Sequence, residues 1–321
     1  MTAVQLIFTD AVCKRADEVM ARSPELRDIT SSSEDLAFIR HASSSTEGFA
    51  LACERYAHRD CFRSPTGRIT YGALWDRVMA LAAAWRRAGL AQPGTRVGIY
   101  GVPAIDWVVA DLACLVAGAV SVPLSTSSTD AELHTLAAHA ELTMIASDAK
   151  LVPTLQRALA ELTPTIVSMD AFGSPAARIA PHVWSPDEPV TVMYTSGSTG
   201  RAKGVLLTER RWLSQLQTAL SWPPFPHVQI GYLPLSSIAG RRFIYEAMMH
   251  GGITHFASDA LPFGDVPLVR PTLIGMAPRV STVLYQQFKS ELLARLGTLP
   301  DNLFDDPVSV AVLDEMRTTA L

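Results

Sequence analysis

Lysine is scarce in this chain. Among its 321 residues only Lys14, Lys150, Lys203 and Lys289 are lysines, and every other basic side chain is arginine. The formal charge is −4, from 27 basic and 31 acidic residues, with no basic stripe, which excludes the electrostatic footprint of a nucleic-acid binder. Cysteine is sparse too. Cys13, Cys53, Cys61 and Cys114 show no C-x-x-C spacing, which excludes a zinc ribbon or disulfide scaffold and fits a reduced, cytoplasmic setting. Long apolar runs are missing. The longest apolar region, residues 107–124, is interrupted by Asp111, Gly118 and Pro123. A membrane span needs ~20 predominantly apolar residues, so this region is expected to be a buried helix followed by a strand. The apolar start is short and broken by Asp10, so no signal peptide is expected. His134 and His139 are five apart on an expected helix, and His250 and His255 flank a Gly-Gly turn. Neither pair has cysteine or carboxylate neighbours at ligand spacing, so no metal site is expected. Serine-hydrolase chemistry lacks its Gly-x-Ser-x-Gly elbow, because Gly197-Ser198-Thr199-Gly200 is one residue short.

What the chain does have is an alternation of short β-branched runs and amphipathic segments. Strands are expected over 68–71, 96–100, 120–124, 143–146 and 165–168, with helices over 72–88, 105–117, 130–140 and 151–162 between them. Gly89 and Gly118 are the expected stops of the first two helices. Beyond residue 188 the expected strands are 190–194, 205–207, 228–234, 253–256 and 272–276, and the helices are 210–220, 242–250, 280–296 and 307–318. Such alternation predicts an α/β fold with mixed, largely parallel sheets flanked by helices. Residues 1–45 are expected to be a peripheral segment, helical over 11–22 and a Ser-rich loop or linker from 28 to 46. Residues 46–185 and 186–321 are expected to form two α/β subdomains.

The stretch with the clearest chemistry is Tyr194-Thr-Ser-Gly-Ser-Thr-Gly-Arg-Ala-Lys203-Gly204, set between two apolar runs. Its layout predicts strand, loop, strand. Glycines allow positive φ and close backbone approach to a ligand. Successive N–H groups form a concavity for anions. The hydroxyls of Thr195, Ser196, Ser198 and Thr199 add donors, and Lys203 adds a mobile positive charge. Together these describe a polyphosphate cradle. It is not a Walker loop, since Lys203 stands three residues after Gly200 and is followed by Gly204 instead of Ser or Thr.

The eleven-residue string resembles the signature of the adenylate-forming superfamily, which includes acyl-CoA synthetases, luciferases, peptide-synthetase adenylation domains and carboxylic acid reductases. Leu233-Pro-Leu-Ser-Ser-Ile-Ala-Gly-Arg241, Val269-Arg-Pro-Thr272 with Ala277-Pro-Arg279, and Gly118-Ala-Val-Ser-Val-Pro-Leu124 resemble further segments of that family. The wording is most similar to adenylation domains of carboxylic acid reductases and fatty-acid–AMP ligases, over roughly residues 45–318. The resemblance implies ATP-dependent activation of a carboxylic acid, fatty or aromatic, to an acyl-adenylate. Thr195, Ser196, Gly197, Ser198, Thr199, Gly200, Lys203 and Gly204 would hold ATP, with Lys203 as the catalytic charge. Ser236, Ser237 and Gly240 would border the acyl pocket. Mg²⁺ would accompany ATP, and CoA or phosphopantetheine would accept the acyl group.

Three departures stand beside that resemblance. Ala202 stands where the family usually has proline, which loosens the loop without removing a phosphate ligand. Ser237 stands where the reductase-like pattern carries histidine, so either the acid selected differs or the site is relaxed. The family continues after Pro278-Arg279 with a Thr-Glu-ended motif, a ribose-binding aspartate, a hinge and a small lid bearing the catalytic lysine. No match to these is found up to Leu321, so the second subdomain is expected to be incomplete and the chain a partial adenylation domain. Expected partners are the acid, ATP, and an acyl-carrier domain or the missing C-terminal part; nucleic acid and a membrane span are not expected. The rival expectation is a catalytically inactive fragment or pseudoenzyme that binds nucleotide weakly or acts through a protein partner.

Overall fold

The structure, a computed structural model, describes residues 23–170, 178–195, 203–257, 262–300 and 306–320, with Lys14, Asp17, Glu18, Met20 and Ala21 before them. The helix expected over 11–22 therefore lies largely outside the described residues, as does part of the connector 171–188.

Helices α1 (Ser33–Arg40) and α2 (Ser45–Arg55) open the chain. Strands β1 (Asp60–Ser64) and β2 (Gly67–Thr70) lead into α3 (Tyr71–Arg87). Then come β3 (Arg96–Tyr100), α4 (Ile105–Ala117), β4 (Val120–Leu124), α5 (Asp130–His139), β5 (Met144–Ser147), α6 (Val152–Ala158) and β6 (Thr165–Ser168). The second half runs β7 (Pro189–Thr195), β8 (Lys203–Thr208), α7 (Glu209–Ala219), β9 (Val228–Gly231), α8 (Ile238–Met249), β10 (Ile253–Phe256), α9 (Pro278–Leu296) and α10 (Pro307–Ala320).

Two sheets result. One has six strands in the order β6-β5-β3-β4-β7-β8, with every neighbouring pair parallel except β7–β8. The other has the order β2-β1-β10-β9, parallel except for β1–β2. This is the mixed, largely parallel α/β architecture that the alternation predicts. Each sheet takes strands from both sides of residue 186, so the two halves of the sequence interleave in space. Helix α4 explains the long apolar region. It packs on α2 and α3, on β3 and β4 of one sheet and on β1 of the other. Every residue from Trp107 to Ala117 is buried, so no polar face is needed. Among the described residues no helix is long and apolar enough to cross a membrane.

Four expectations need correction. The Ser-rich piece 28–46 is mostly helix, because its serines are caps. Ser32 Oγ accepts from Asp35 N at 3.1 Å while the Asp35 carboxylate accepts from Ser32 N at 2.9 Å, and Leu36 and Ile39 face the core. Ser32→Ala is expected to cost about 1 kcal/mol, measured by urea unfolding; no change in midpoint would show that the box does not hold α1. The segment 272–276 forms only the bridge Gln229↔Leu273 instead of a strand. Side chains take the partners of a ladder there: the Tyr232 hydroxyl donates to Gly275 O and accepts from Ala277 N, while Thr272 Oγ1 accepts from Val228 N. Helix α6 stops at Ala158 instead of reaching 162, because the backbone leaves the helical region at Leu159, φ −118 and ψ 21. Helix α8 begins four residues earlier than expected, at Ile238, because Ser237 caps it.

Candidate nucleotide-binding hairpin

Strands β7 and β8 form an antiparallel hairpin in which Thr195 pairs with Lys203, Tyr194 with Gly204 and Met193 with Val205. Ser196, Gly197, Ser198, Thr199 and Gly200 lie outside the described residues. Their two flanks are thus set opposite each other, Thr195 on one strand and Lys203 on the other, and both side chains are exposed. Gly204 has a packing reason. A Cβ there would come within 3.1 Å of Val192 Cγ1 and 3.4 Å of Tyr194 Cε1, so the absence of a side chain lets the tyrosine ring lie against the strand.

Tyr194 is tied down on its other side. Its hydroxyl is 2.7 Å from His139 Nδ1, and the rings meet edge to face at 5.7 Å and 80°. Burial pushes the Tyr194 hydroxyl up from its ordinary pKa, against an opposing pull from Arg96, so it stays protonated as a hydrogen-bonding group. In sequence His139 is only one half of a histidine pair spaced too far apart to share a metal. The structure makes it the partner that holds the base of the hairpin, a link visible only once α5 and β7 are placed side by side.

Beneath the hairpin lies a polar network that the sequence reading did not find. Arg241, the fourth residue of α8, donates from Nη2 to both Asp111 carboxylate oxygens at 2.9 and 2.8 Å, and from Nη1 to Thr191 Oγ1 at 2.8 Å. Thr191 also accepts from Ser121 Oγ at 3.0 Å and donates to Ser121 O at 2.8 Å, and the Tyr245 hydroxyl donates to Asp111. The Arg241 and Asp111 side chains are only 4% and 3% exposed. The guanidinium stacks 4.8 Å over the Trp212 ring. Burial, together with the Asp111 charge, raises the Tyr245 hydroxyl well above its usual range and keeps it a donor. The network joins α4, β4, β7 and α8. Asp111 inside the otherwise apolar stretch Trp107–Ala117 was the available signal: a carboxylate there needs a buried cation.

That network also brings the second expected stretch into place. Ser237 Oγ accepts from Gly240 N at 3.1 Å and donates to Pro234 O at 2.8 Å, capping α8. Ser236 is half-buried in the turn before it, and Gly240 is buried in the first turn of the helix. Arg241 follows at once, and its side chain reaches Thr191 of β7, the first strand of the hairpin.

A family model for the AMP-binding enzymes matches residues 49–319, most of the chain. The chain belongs to the AMP-binding enzyme family. Among curated members of the family, a carboxylic acid reductase of Mycobacterium tuberculosis is 30% identical, with 71% of this chain and 23% of that protein covered. The chain thus spans about a quarter of the length of such relatives. Among solved structures of the family, the adenylation domain of a Mycobacterium chelonae carboxylate reductase superposes with a TM-score of 0.81 at 21% identity, covering 100% of this chain and 58% of that one. ATP-bound MatB from Rhodopseudomonas palustris gives 0.64 at 26% identity, covering 74% of this chain and 50% of that one. The fold is that of the adenylate-forming enzymes, and the hairpin sits inside the AMP-binding match.

Proposed function

We propose that the β7–β8 hairpin grips the phosphates of ATP and that the chain takes part in converting a carboxylic acid to an acyl-adenylate. The observation that carries this is the pairing of Thr195 with Lys203 across the seven-residue segment 196–202, five of whose residues are glycine or carry a hydroxyl. In the reaction the acid's carboxylate oxygen attacks the α-phosphorus, the bond to the bridging oxygen breaks, and pyrophosphate leaves with that electron pair. Charge grows on the leaving group, and donors already in position stabilise it. Thr195, Ser196, Ser198 and Thr199 with the Gly197, Gly200 and Gly204 backbone would supply hydrogen bonds to the β- and γ-phosphates, and Lys203 a positive charge. Mg²⁺ would arrive on the nucleotide. Among the described residues no cluster of three His, Cys, Asp or Glu could hold a metal, so none is assigned to it.

Ser236, Ser237 and Gly240 would border the acyl pocket, with an apolar, fatty or aromatic acid as substrate. Ser237 spends its hydroxyl on the cap of α8, so its contribution there would be small size instead of charge. CoA or a carrier-bound phosphopantetheine would accept the acyl group.

Acid-dependent exchange of pyrophosphate into ATP tests the proposal. The chain alone is expected to bind ATP weakly and to exchange little. Within a complete adenylation module, Lys203→Ala is expected to cost about 1.5–3 kcal/mol, roughly 10- to 150-fold in exchange rate. An unchanged rate would remove Lys203 from the chemistry. ATP binding without exchange in the complete module would leave a nucleotide-binding protein with no ligase activity.

A further inference from the structure

A cavity of about 620 Å³ opens where β1, β2 and the first turn of α3 meet the short 3-10 turn Pro24–Ile29. It belongs to the four-stranded sheet, whereas the hairpin belongs to the six-stranded one. Three arginines are among the residues that line it, Arg59, Arg63 and Arg68. Arg63 and Arg68 stand directly opposite each other in the β1–β2 register. Like charges so placed repel. One carboxylate, that of Asp60, lies between them, 2.7 Å from Arg63 and 3.6 Å from Arg68. Arg59 is held in place by stacking over the Tyr56 ring at 4.8 Å, with its Nη1 packed beside Gly251 and away from the opening.

The surroundings add to the positive character. Thr70 and Ala73, at the N-terminus of the 17-residue helix α3, line the same cavity, and the first turn of that helix carries no acidic residue. Its leading amides are already engaged: Tyr71 N donates to Arg59 O, Gly72 N to Ala57 O and Ala73 N to Thr70 Oγ1. The helix therefore contributes field and not direct ligands. Asp60 offsets one of the three guanidinium charges. Asp28, the other lining acid, is exposed and offsets less in water. The apolar wall is the half-buried Ile29 together with the small edges that Ile69 and Ile253 leave exposed, 7% and 5%. The volume lies within the range of small-molecule sites.

We infer that this cavity binds a small organic phosphate monoester, its dianionic head among Arg59, Arg63 and Arg68 and its organic body on the isoleucine wall. A phosphate carries close to two negative charges near neutral pH and offers three acceptor oxygens. Guanidinium forks suit that geometry better than a lysine would. The site is separate from the ATP hairpin and does not depend on the acid-activating reading.

Calorimetric titration of the whole chain tests this, with phenyl phosphate as probe and inorganic phosphate and phenol as comparisons. One saturable phenyl phosphate site is expected, tighter than for inorganic phosphate, with no binding of phenol. Arg59→Gln is expected to weaken it roughly tenfold, the loss of one charge-assisted contact. Arg68, whose side chain is 74% exposed, can be replaced without loss of packing, so Arg68→Gln separates binding from folding and is expected to weaken the site severalfold. Lys203→Ala should leave the titration as it was. The inference is overturned by an absence of saturation, by equal affinity in the parent and both arginine variants, by inorganic phosphate binding as tightly as the ester, or by loss of binding in Lys203→Ala, which would place the probe at the hairpin.

Discussion

Asp111→Ala is expected to destabilise the protein by about 3–5 kcal/mol, because it leaves the Arg241 guanidinium buried without its counter-ion. Arg241 could not escape to water. It is held on one side by the Thr191 hydroxyl and on another by the Trp212 ring, and its side chain is 4% exposed. The Tyr245 hydroxyl would lose its acceptor in the same step. Guanidinium denaturation followed by tryptophan fluorescence gives the measurement, since Trp107 and Trp212 both lie beside the guanidinium. The double variant Asp111→Leu, Arg241→Met removes both charges and is expected to recover most of the loss. A single variant that loses under ~1 kcal/mol would show that the pair is not holding these elements together.

Gly240→Ala is expected to cost about 3 kcal/mol, near the upper end for overpacking. The added Cβ would sit inside contact distance of the Pro234 carbonyl oxygen, 3.0 Å from its carbonyl carbon and 3.1 Å from Leu233 O. These are backbone atoms, and they cannot swing aside as a side chain would. Ser237 Oγ bonds both Pro234 O and Gly240 N, so the turn is closed on itself and any shift breaks a cap. The same denaturation reads the effect. Gly264→Ala serves as the control, because a Cβ there would meet nothing within 4 Å, and its midpoint should stay within experimental error. Equal midpoints for the two variants would mean that the turn before α8 yields easily, and that Gly240 is not kept small by packing.

The elements that the sequence made legible share a cause. Strands β3, β4, β6 and β10 and helix α4 lie where local pattern and tertiary environment agree: short β-branched runs bounded by turns, or a helix stopped at Gly118 with φ +81. The misses come from features that local pattern does not encode. Strand β1, Asp60–Ser64, is mostly polar in sequence and becomes a strand by pairing with β10 and β2. Helix α1 was hidden by serines whose role as caps depends on three-residue spacing more than on composition. At the site, the glycines and hydroxyls pointed to phosphate by their chemistry alone, and Lys203 stood out because lysine is rare. Arg241 was one arginine among many. Only the fold, which sets α8 against α4 and β7, shows that it is the one paired with Asp111.

The pairing of Phe62 with Thr254 has a consequence for biogenesis. Strand β1 can find only β2 as a neighbour while the chain is being made, and a lone two-stranded ribbon is marginal in water. Its parallel neighbour β10 follows some 190 residues later, a wait of roughly 10–40 s at ordinary elongation rates. Until then Phe62 and the apolar residues around it have no finished layer to join. The nascent polypeptide is therefore a natural client for chaperones that shield early-emerging segments.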